Sequence, residues 1–331
     1  MIMIWMARHR PLAVAGLTAA SLGLGGCIEY RIETTLDAEG SGLRQEKMIV
    51  EEFEDEADND RLRTNFGYLM FATEDFRWDH RQEVQDDDTL QVFVRETRVD
   101  DLTAWTDLTG TVHIAGAPFG SSASIGHVAL RDVHFRNEVR VESGRVGEGV
   151  SFTYRETFYW DNLADALVEY LVQAFADGVA AEYPSVGTGE REELETLVRS
   201  AAWFAVGQGL FEASGDEEEE LLAALARRTA SRAMQVVARR HPEVEDAGFF
   251  ERLLKHIYDD EDDAFERFIQ EELPGVELAI NSEIVFRLQM PGRITSSNAH
   301  DRERNTLIWE FAPGDALSAP LEIVAESVVE P

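Results

Sequence analysis

Thr153-Tyr154-Arg155-Glu156-Thr157-Phe158-Tyr159-Trp160-Asp161-Asn162-Leu163-Ala164-Asp165-Ala166-Leu167-Val168 is the stretch in which the chain changes period. Before Asp161 the large apolar residues Phe152, Tyr154 and Phe158 alternate with polar ones, as on a half-buried strand. After it, apolar residues recur at helical spacing as far as residue 273. Pro184-Ser185-Val186-Gly187-Thr188-Gly189, Ser214-Gly215 and His241-Pro242 break this block into four predicted helices, over 162–183, 191–213, 216–240 and 242–273. Strand-type sequence lies on both sides of the block. The predicted fold is therefore α+β. Strands from 27–160 and 274–331 form an antiparallel β-rich lobe, and 161–273 is a large all-helical insertion.

Working back from the switch, residues 125–160 alternate through Val133, Phe135, Val139 and Val141, turn at Gly144 to Gly149, and return through Phe152 and Tyr154. Two hairpins precede them. The first joins 30–36 to 43–50 through Asp37-Ala38-Glu39-Gly40-Ser41-Gly42, and the second joins 76–84 to 90–99 across Asp86-Asp87-Asp88. Between the hairpins, Leu62, Phe66, Leu69 and Met70 predict a helix over 54–71; a short helix around 102–108 and a strand over 111–115 follow. Beyond the block, strands are predicted over 276–290, 306–311 around Trp309, and 321–329.

Several stretches invite a chemical reading and are better explained by structure. Asp58-Asn59-Asp60 lacks the glycine and distal glutamate of an EF-hand, so it reads as a helix N-terminus rich in carboxylates. The loop from Gly116 to Ser124 has no lysine after it and opens no helix, which makes it a connection and not a P-loop. His113, His127 and His134 fall on neighbouring predicted strands, but His134 shares the parity of Arg136 and no carboxylate-histidine motif accompanies them. The acidic runs 216–220 and 259–263 read as a helix start and a solvated face. Phe249, Phe250, Leu253, Leu254, Ile257, Tyr258, Phe265, Phe268 and Ile269 form a helical stripe of the kind that packs a core. No metal and no cofactor is expected.

The N-terminus supplies an address. Arg8, His9 and Arg10 precede an apolar run from Pro11 to Leu24, and Leu24-Gly25-Gly26-Cys27 closes it with the chain's single cysteine. The run is shorter than the ~20 residues a spanning helix needs. It fits a signal peptide, residues 1–26, ending in a lipobox. Leu24, Gly25 and Gly26 present the cleavage site, and Cys27 becomes the first mature residue, carrying a diacylglyceryl anchor that holds the chain on the extracytoplasmic side of a membrane. Ile28, where aspartate would favour inner-membrane retention, points to the outer membrane in a Gram-negative cell. With Cys27 consumed, the mature chain has no thiol for a disulfide or a nucleophile.

Net charge is −34, with 64 acidic residues against 30 basic ones, and cleavage would also remove Arg8 and Arg10. Such a field repels nucleic acid and anionic lipid surfaces, which argues against DNA or RNA as a partner. Catalytic signatures are missing as well: there is no Gly-x-Ser-x-Gly, His-Glu-x-x-His, Walker lysine or dinucleotide fingerprint. An uncharacterised hydrolase is the residual enzyme reading, and a non-catalytic chain is expected.

Near the C-terminus, Phe286-Arg287-Leu288-Gln289-Met290-Pro291-Gly292-Arg293-Ile294-Thr295-Ser296-Ser297-Asn298-Ala299 leads to Asn305-Thr306-Leu307-Ile308-Trp309-Glu310-Phe311. A strand running into Pro-Gly, a turn ending in Ser-Asn and a next strand carrying tryptophan resemble the LppM-type domain of bacterial envelope lipoproteins. The lipobox cysteine, first strand and Gly40-Ser41-Gly42 turn match its opening. The resemblance covers about a quarter of the chain. It implies an extracytoplasmic β-rich module that interacts with lipid or glycolipid and has no demonstrated catalysis. Pro291, Gly292, Asn298 and Trp309 are then structural, turning the chain and anchoring the core. The long helical block and the lack of a C-terminal membrane helix depart from the pattern. Two functions are expected: a lipid-anchored envelope module binding a lipid or glycolipid or serving as a docking module, or an assembly protein that meets a protein partner through its acidic helical lobe.

Overall fold

A computed structural model describes residues 28–51, 78–85, 88–113, 124–208, 229–242, 244, 268–269, 272–273, 276, 282–317 and 319–331. The lipobox, the predicted helix over 54–71, most of the Gly116 to Ser124 loop, both acidic runs and most of the aromatic stripe lie outside them. The chain is α+β, with large, mainly antiparallel sheets. It divides into two units: the described residues of 28–113, 134–161 and 282–331 form one, and those of 124–133 and 162–276 the other. Residues 124–133, predicted among the strands of the β lobe, thus fall in the helical unit.

The β unit contains two sheets. The first runs β12-β13-β10-β1-β2-β4-β3, built from β1 (Ile28–Leu36), β2 (Gly42–Glu51), β3 (Asp79–Gln85), β4 (Asp88–Val99), β10 (Glu283–Gln289), β12 (Asp301–Glu303) and β13 (Thr306–Phe311). The second runs β11-β14-β9-β8-β5, from β5 (Gly110–His113), β8 (His134–Val146), β9 (Gly149–Asp161), β11 (Arg293–Ser297) and β14 (Leu321–Val329). One pairing departs from the antiparallel expectation: β1 and β10 are parallel, with Tyr30 opposite Ile284 and Ile32 opposite Phe286. Antiparallel neighbours can be joined by a tight turn, whereas a parallel pair needs a long crossover. Here almost the whole chain lies between the two strands. The predicted strand over 276–290 is seen from Glu283, and the predicted helix near 102–108 is a 3-10 turn at Ala104–Leu108.

Alternation dictates which face is buried. Tyr30, Ile32 and Leu36 of β1 and Ile284, Phe286 and Leu288 of β10 point inward, as do Phe152, Tyr154 and Phe158 of β9. The sheets meet through aromatic rings. Phe158 lies 5.0 Å from Phe311 and 6.4 Å from Phe286, and Trp105 meets Tyr154 edge-on at 6.0 Å. Each fully buried ring contributes roughly 1.5–3 kcal/mol of hydrophobic stabilisation before its entropy cost. The first hairpin turn is shaped by that packing. Gly40 has φ +89°, and a Cβ on Gly42 would fall 2.1 Å from the Thr35 carbonyl and 2.7 Å from the Trp105 ring, whose Nε1 donates to the Gly40 carbonyl at 3.0 Å.

The helical unit is organised on α1 (Leu163–Glu182) and α2 (Thr188–Val206), with α3 over 229–237. Asn162, in the left-handed region at φ 59°, turns the chain into α1. Phe175, Val179 and Tyr183 of α1 and its end pack with Leu194 of α2 and Val236 and Val237 of α3. A short hairpin, β6 (Ser124–Ile125) and β7 (Val128–Ala129), lies against α1. Among the described residues no helix is long and apolar enough to cross a membrane.

Candidate functional site

Four charged side chains, Arg44, Glu46, Arg95 and Glu156, are buried together in the interior of the β unit. Arg44 and Glu46 occupy the inward parity of β2 together with Met48 and Val50, and Glu156 stands between Tyr154 and Phe158 on β9. Arg44 reaches across to Glu156 with two hydrogen bonds of 2.8 and 2.9 Å, and its Nε donates to Glu46 at 3.2 Å. Glu156 also accepts from Asn137 Nδ2 at 2.7 Å and from the Tyr154 hydroxyl at 2.5 Å. Arg95 pairs with Glu46 and completes two cations against two carboxylates. Arg44 and Glu156 are wholly buried. A bidentate fork on Glu156, whose two oxygens accept four hydrogen bonds, is the geometry that lets such charges leave water.

Electrostatics follow from that enclosure. Burial, and then the negative charge of Glu156, push the Tyr154 hydroxyl well above its ordinary range, so it donates at any physiological pH. Burial alone would lower the Arg44 guanidinium, but Glu156 and Glu46 more than offset it and hold it above its ordinary value. Arg95 is lowered, by burial first, although an arginine starts so high that it stays charged. This buried cluster ties β2, β4, β8 and β9 together.

The residues singled out near the C-terminus sit at a crossing between the two sheets. Pro291 and Gly292 join β10 of the first sheet to β11 of the second. Gly292 has φ +66°, and a Cβ there would lie 2.3 Å from the Val328 carbonyl, so only glycine lets the backbones approach this closely. Asn298 is a bracket. Its Oδ1 accepts from Trp309 Nε1 at 3.0 Å and from the Val324 amide at 2.9 Å, while its Nδ2 donates to the Glu322 carbonyl at 2.6 Å. Trp309 is 2% exposed and meets Phe286 edge-on at 5.8 Å. Leu24, Gly25, Gly26 and Cys27 precede the first described residue.

No family model matches this chain, and neither does any curated protein sequence. It is similar to one solved structure, the folded domain of LppM from Mycobacterium tuberculosis determined by NMR. That likeness has 8% identity over 92% of this chain and 91% of the other, at a TM-score of 0.29. It carries no argument about fold or function.

In the helical unit, one face of α1 lines a trough of about 450 Å3. Tyr170, Gln173, Ala174, Asp177, Gly178 and Ala181 stand at the three- and four-residue spacing of one helical face, and Ile125 and Phe268 flank it. The small residues Ala174, Gly178 and Ala181 make the hollow. At one end the Tyr170 and Phe268 rings stack at 4.6 Å with 25° between their planes. Asp177 is exposed and makes no ion pair among the described residues.

Beside the trough Glu169 is clamped. Arg199 of α2 donates to both its oxygens, at 2.5 and 3.0 Å, and His127 Nδ1 lies 3.5 Å away. A Cβ on Gly126, φ +54°, would meet Glu169 Oε2 at 2.2 Å, so the hairpin turn rests directly on this carboxylate. Arg199's hydrogen bonds hold Glu169 below the ordinary glutamate range, helped by the charges of Arg199 and His127 and opposed by burial. A lowered folded value means the stabilisation is present at neutral pH and is lost as pH falls through it. The difference in urea midpoint between wild type and Glu169→Gln is therefore expected to be largest near pH 7 and to shrink below the ordinary glutamate range. A difference that stays constant down to pH 3 would show that ionisation of Glu169 is irrelevant.

The three histidines do not share one sheet edge. His113 and His134 are opposite each other in β5 and β8, whereas His127 is in the β6–β7 turn of the helical unit. Among the described residues no group of three His, Cys, Asp or Glu is placed to hold a metal ion. Neither the buried charge cluster nor the trough was identified from sequence. An arginine and a glutamate at inward parity in strands otherwise filled by Met48, Val50, Tyr154 and Phe158 were the available signal for the first.

Proposed function

We propose that the chain is a lipid-anchored, extracytoplasmic envelope lipoprotein, non-catalytic, that binds an envelope lipid or glycolipid. The observation that carries the reading is the start of β1. Ile28 is already paired with Val50 of β2, one residue after the lipobox cysteine, so acylation of Cys27 would bring a folded sheet to the membrane surface without a linker. The outer membrane is the proposed site in a Gram-negative cell. Support for ligand binding is the trough on α1, whose volume lies within the range of roughly 300–1,000 Å3 usual for small-molecule sites.

In wild type, intact mass is expected to include diacylglycerol, and the protein to sediment with membranes. Cys27→Ser is expected to remain unmodified and soluble. If both forms are soluble and unmodified, the anchor is wrong and the location goes with it. Ser185 Oγ and His241 Nε2, 2.6 Å apart, are a hydroxyl beside a base. Stoichiometric labelling of Ser185 by a fluorophosphonate would overturn the non-catalytic part. The second reading, contact with a protein partner through the acidic helical unit, draws on Trp203 and Phe204, which are 39% and 45% exposed side by side on α2.

A further inference from the structure

We infer that the outer face of the second sheet is the contact surface of a twofold homodimer, in which a row of arginines on each copy is seated on a row of glutamates on the other. The inference stands on this sheet alone and is independent of the anchor and of the trough. On the outward parity of β8, β9 and β14, register sets charged residues side by side in rows that cross the strands. Arg140 lies directly opposite Arg155. One step toward the start of β8, Glu138 and Glu322 stand on either side of Thr157; one step the other way, Glu142 and Glu326 stand on either side of Thr153. Arg136, opposite Tyr159, begins a further positive row. The rows alternate in sign along the sheet, and like charges are neighbours within a row. The face is open: Arg140, Arg155 and Glu322 have 72%, 48% and 50% of their side-chain surface exposed.

Within one copy this arrangement is poorly served. Like charges directly opposite each other on neighbouring strands are destabilising. The pairs that offset them, Arg155 with Glu322 at 3.0 Å and Arg140 with Glu142 at 2.6 Å, are exposed contacts that contribute little. A guanidinium has five N–H donors, so each such pair leaves donors for a second carboxylate. A free phosphate or carboxylate is disfavoured at the two arginines, because Glu138, Glu142, Glu322 and Glu326 border them on both sides. What matches is the same face turned round. A twofold axis lying in the face, across the strands and between the arginine row and the Glu138 row, sets Arg140 and Arg155 of each copy on Glu138 and Glu322 of the other, and Glu142 and Glu326 on Arg136. A twofold along the strands would instead set every row on itself, arginine on arginine. Five strands at ~4.8 Å by about six residues at ~3.3 Å give a face of roughly 24 by 20 Å, small for a stable interface, so a weak pair is expected.

The test is sedimentation velocity of the full-length chain with Cys27→Ser, to avoid detergent, at about 10–100 µM protein and ~0.15 M salt. At that salt a screening length of ~8 Å damps the repulsion between two bodies of charge −34 and leaves contacts across the face. A monomer–dimer equilibrium is expected. Arg140→Glu with Arg155→Glu, and separately Glu138→Arg with Glu322→Arg, are each expected to weaken it about tenfold or more, with circular dichroism checking that the sheets persist. Mixed in equal amounts, the two variants are expected to form a heterodimer about as tight as the wild-type pair, since each altered row then meets its opposite. A wild-type chain that is monomeric across the range overturns the inference. So does a dimer that survives Arg140→Glu with Arg155→Glu, which would use another surface. Tighter association of Glu138→Arg with Glu322→Arg would show only relief of net repulsion and overturns it too. Two monomeric variants that stay monomeric when mixed overturn the pairing of row on row.

Discussion

Glu156→Ala is expected to lower folding stability by about 3–5 kcal/mol, read as a shift of the urea or guanidinium midpoint at neutral pH. The alanine leaves Arg44, wholly buried, with only Glu46 as counter-ion, and Glu46 is already shared with Arg95. It also removes an acceptor from Asn137 Nδ2, which keeps its longer bond to the Leu108 carbonyl at 3.4 Å, and the acceptor of the buried Tyr154 hydroxyl. Arg44→Met alone should cost a similar amount for the converse reason, an uncompensated carboxylate. The informative measurement is the double variant Arg44→Met with Glu156→Leu. Replacing a buried ion pair by apolar side chains of similar volume is often close to neutral. The double variant is therefore expected to be more stable than either single one. A midpoint for Glu156→Ala indistinguishable from wild type would sink this account of the cluster, and a double variant weaker than both singles would show that the two charges do not act as a pair.

Trp309→Ala is the second large effect, expected at about 3–5 kcal/mol from lost burial and the cavity left behind. Trp309 is 2% exposed, packs edge-on against Phe286, and its Nε1 holds Asn298 at the crossing from one sheet to the other. Trp309→Phe separates the two contributions. It keeps most of the apolar contact and loses only the indole hydrogen bond, so about 1 kcal/mol is expected, because the exposed Asn298 amide can turn to water while still holding Val324. Thermal or chemical unfolding of the three proteins decides it. A phenylalanine variant as damaged as the alanine one would mean that the hydrogen bond, and not the ring, holds the strand.

Both effects arise at residues of opposite visibility in the sequence. Trp309 stands out as a large apolar residue in a strand after a proline-glycine turn, and anchoring the core is the natural reading. Arg44, Glu46 and Glu156 are charged residues in strands, and charge by itself reads as solvent-facing. Parity says otherwise: Arg44 and Glu46 alternate in step with Met48 and Val50, and Glu156 with Tyr154 and Phe158, so each must point where those apolar side chains point. What parity cannot supply is the partner. Arg44 and Glu156 are 112 residues apart, and only the packing of one sheet on the other shows that a guanidinium on β2 faces a carboxylate on β9.

The trough has the same division. The spacing of Tyr170, Ala174, Gly178 and Ala181 marks one face of a helix, but small and aromatic residues on one face equally describe a core contact. Stacking of Phe268 on Tyr170, and the seating of the Gly126 turn on Glu169, decide which part of that face is filled and which is left hollow. Those contacts join segments tens of residues apart.

By itself the sequence determined the α+β class, the change from strand to helix at Asp161, the first and second hairpins, and the breaks that end α1 and precede α2. Each rests on a local cause: a period of two or of 3.6, or a turn residue. Tertiary structure alone decided the parallel pairing of β1 with β10, the placement of 124–133 in the helical unit, the neutralisation of Arg44 and Arg95 by Glu156 and Glu46, and the position of the trough. These depend on which distant segments meet. A local pattern says which way a side chain points, and the energy of what it meets there is settled only when the chain has folded.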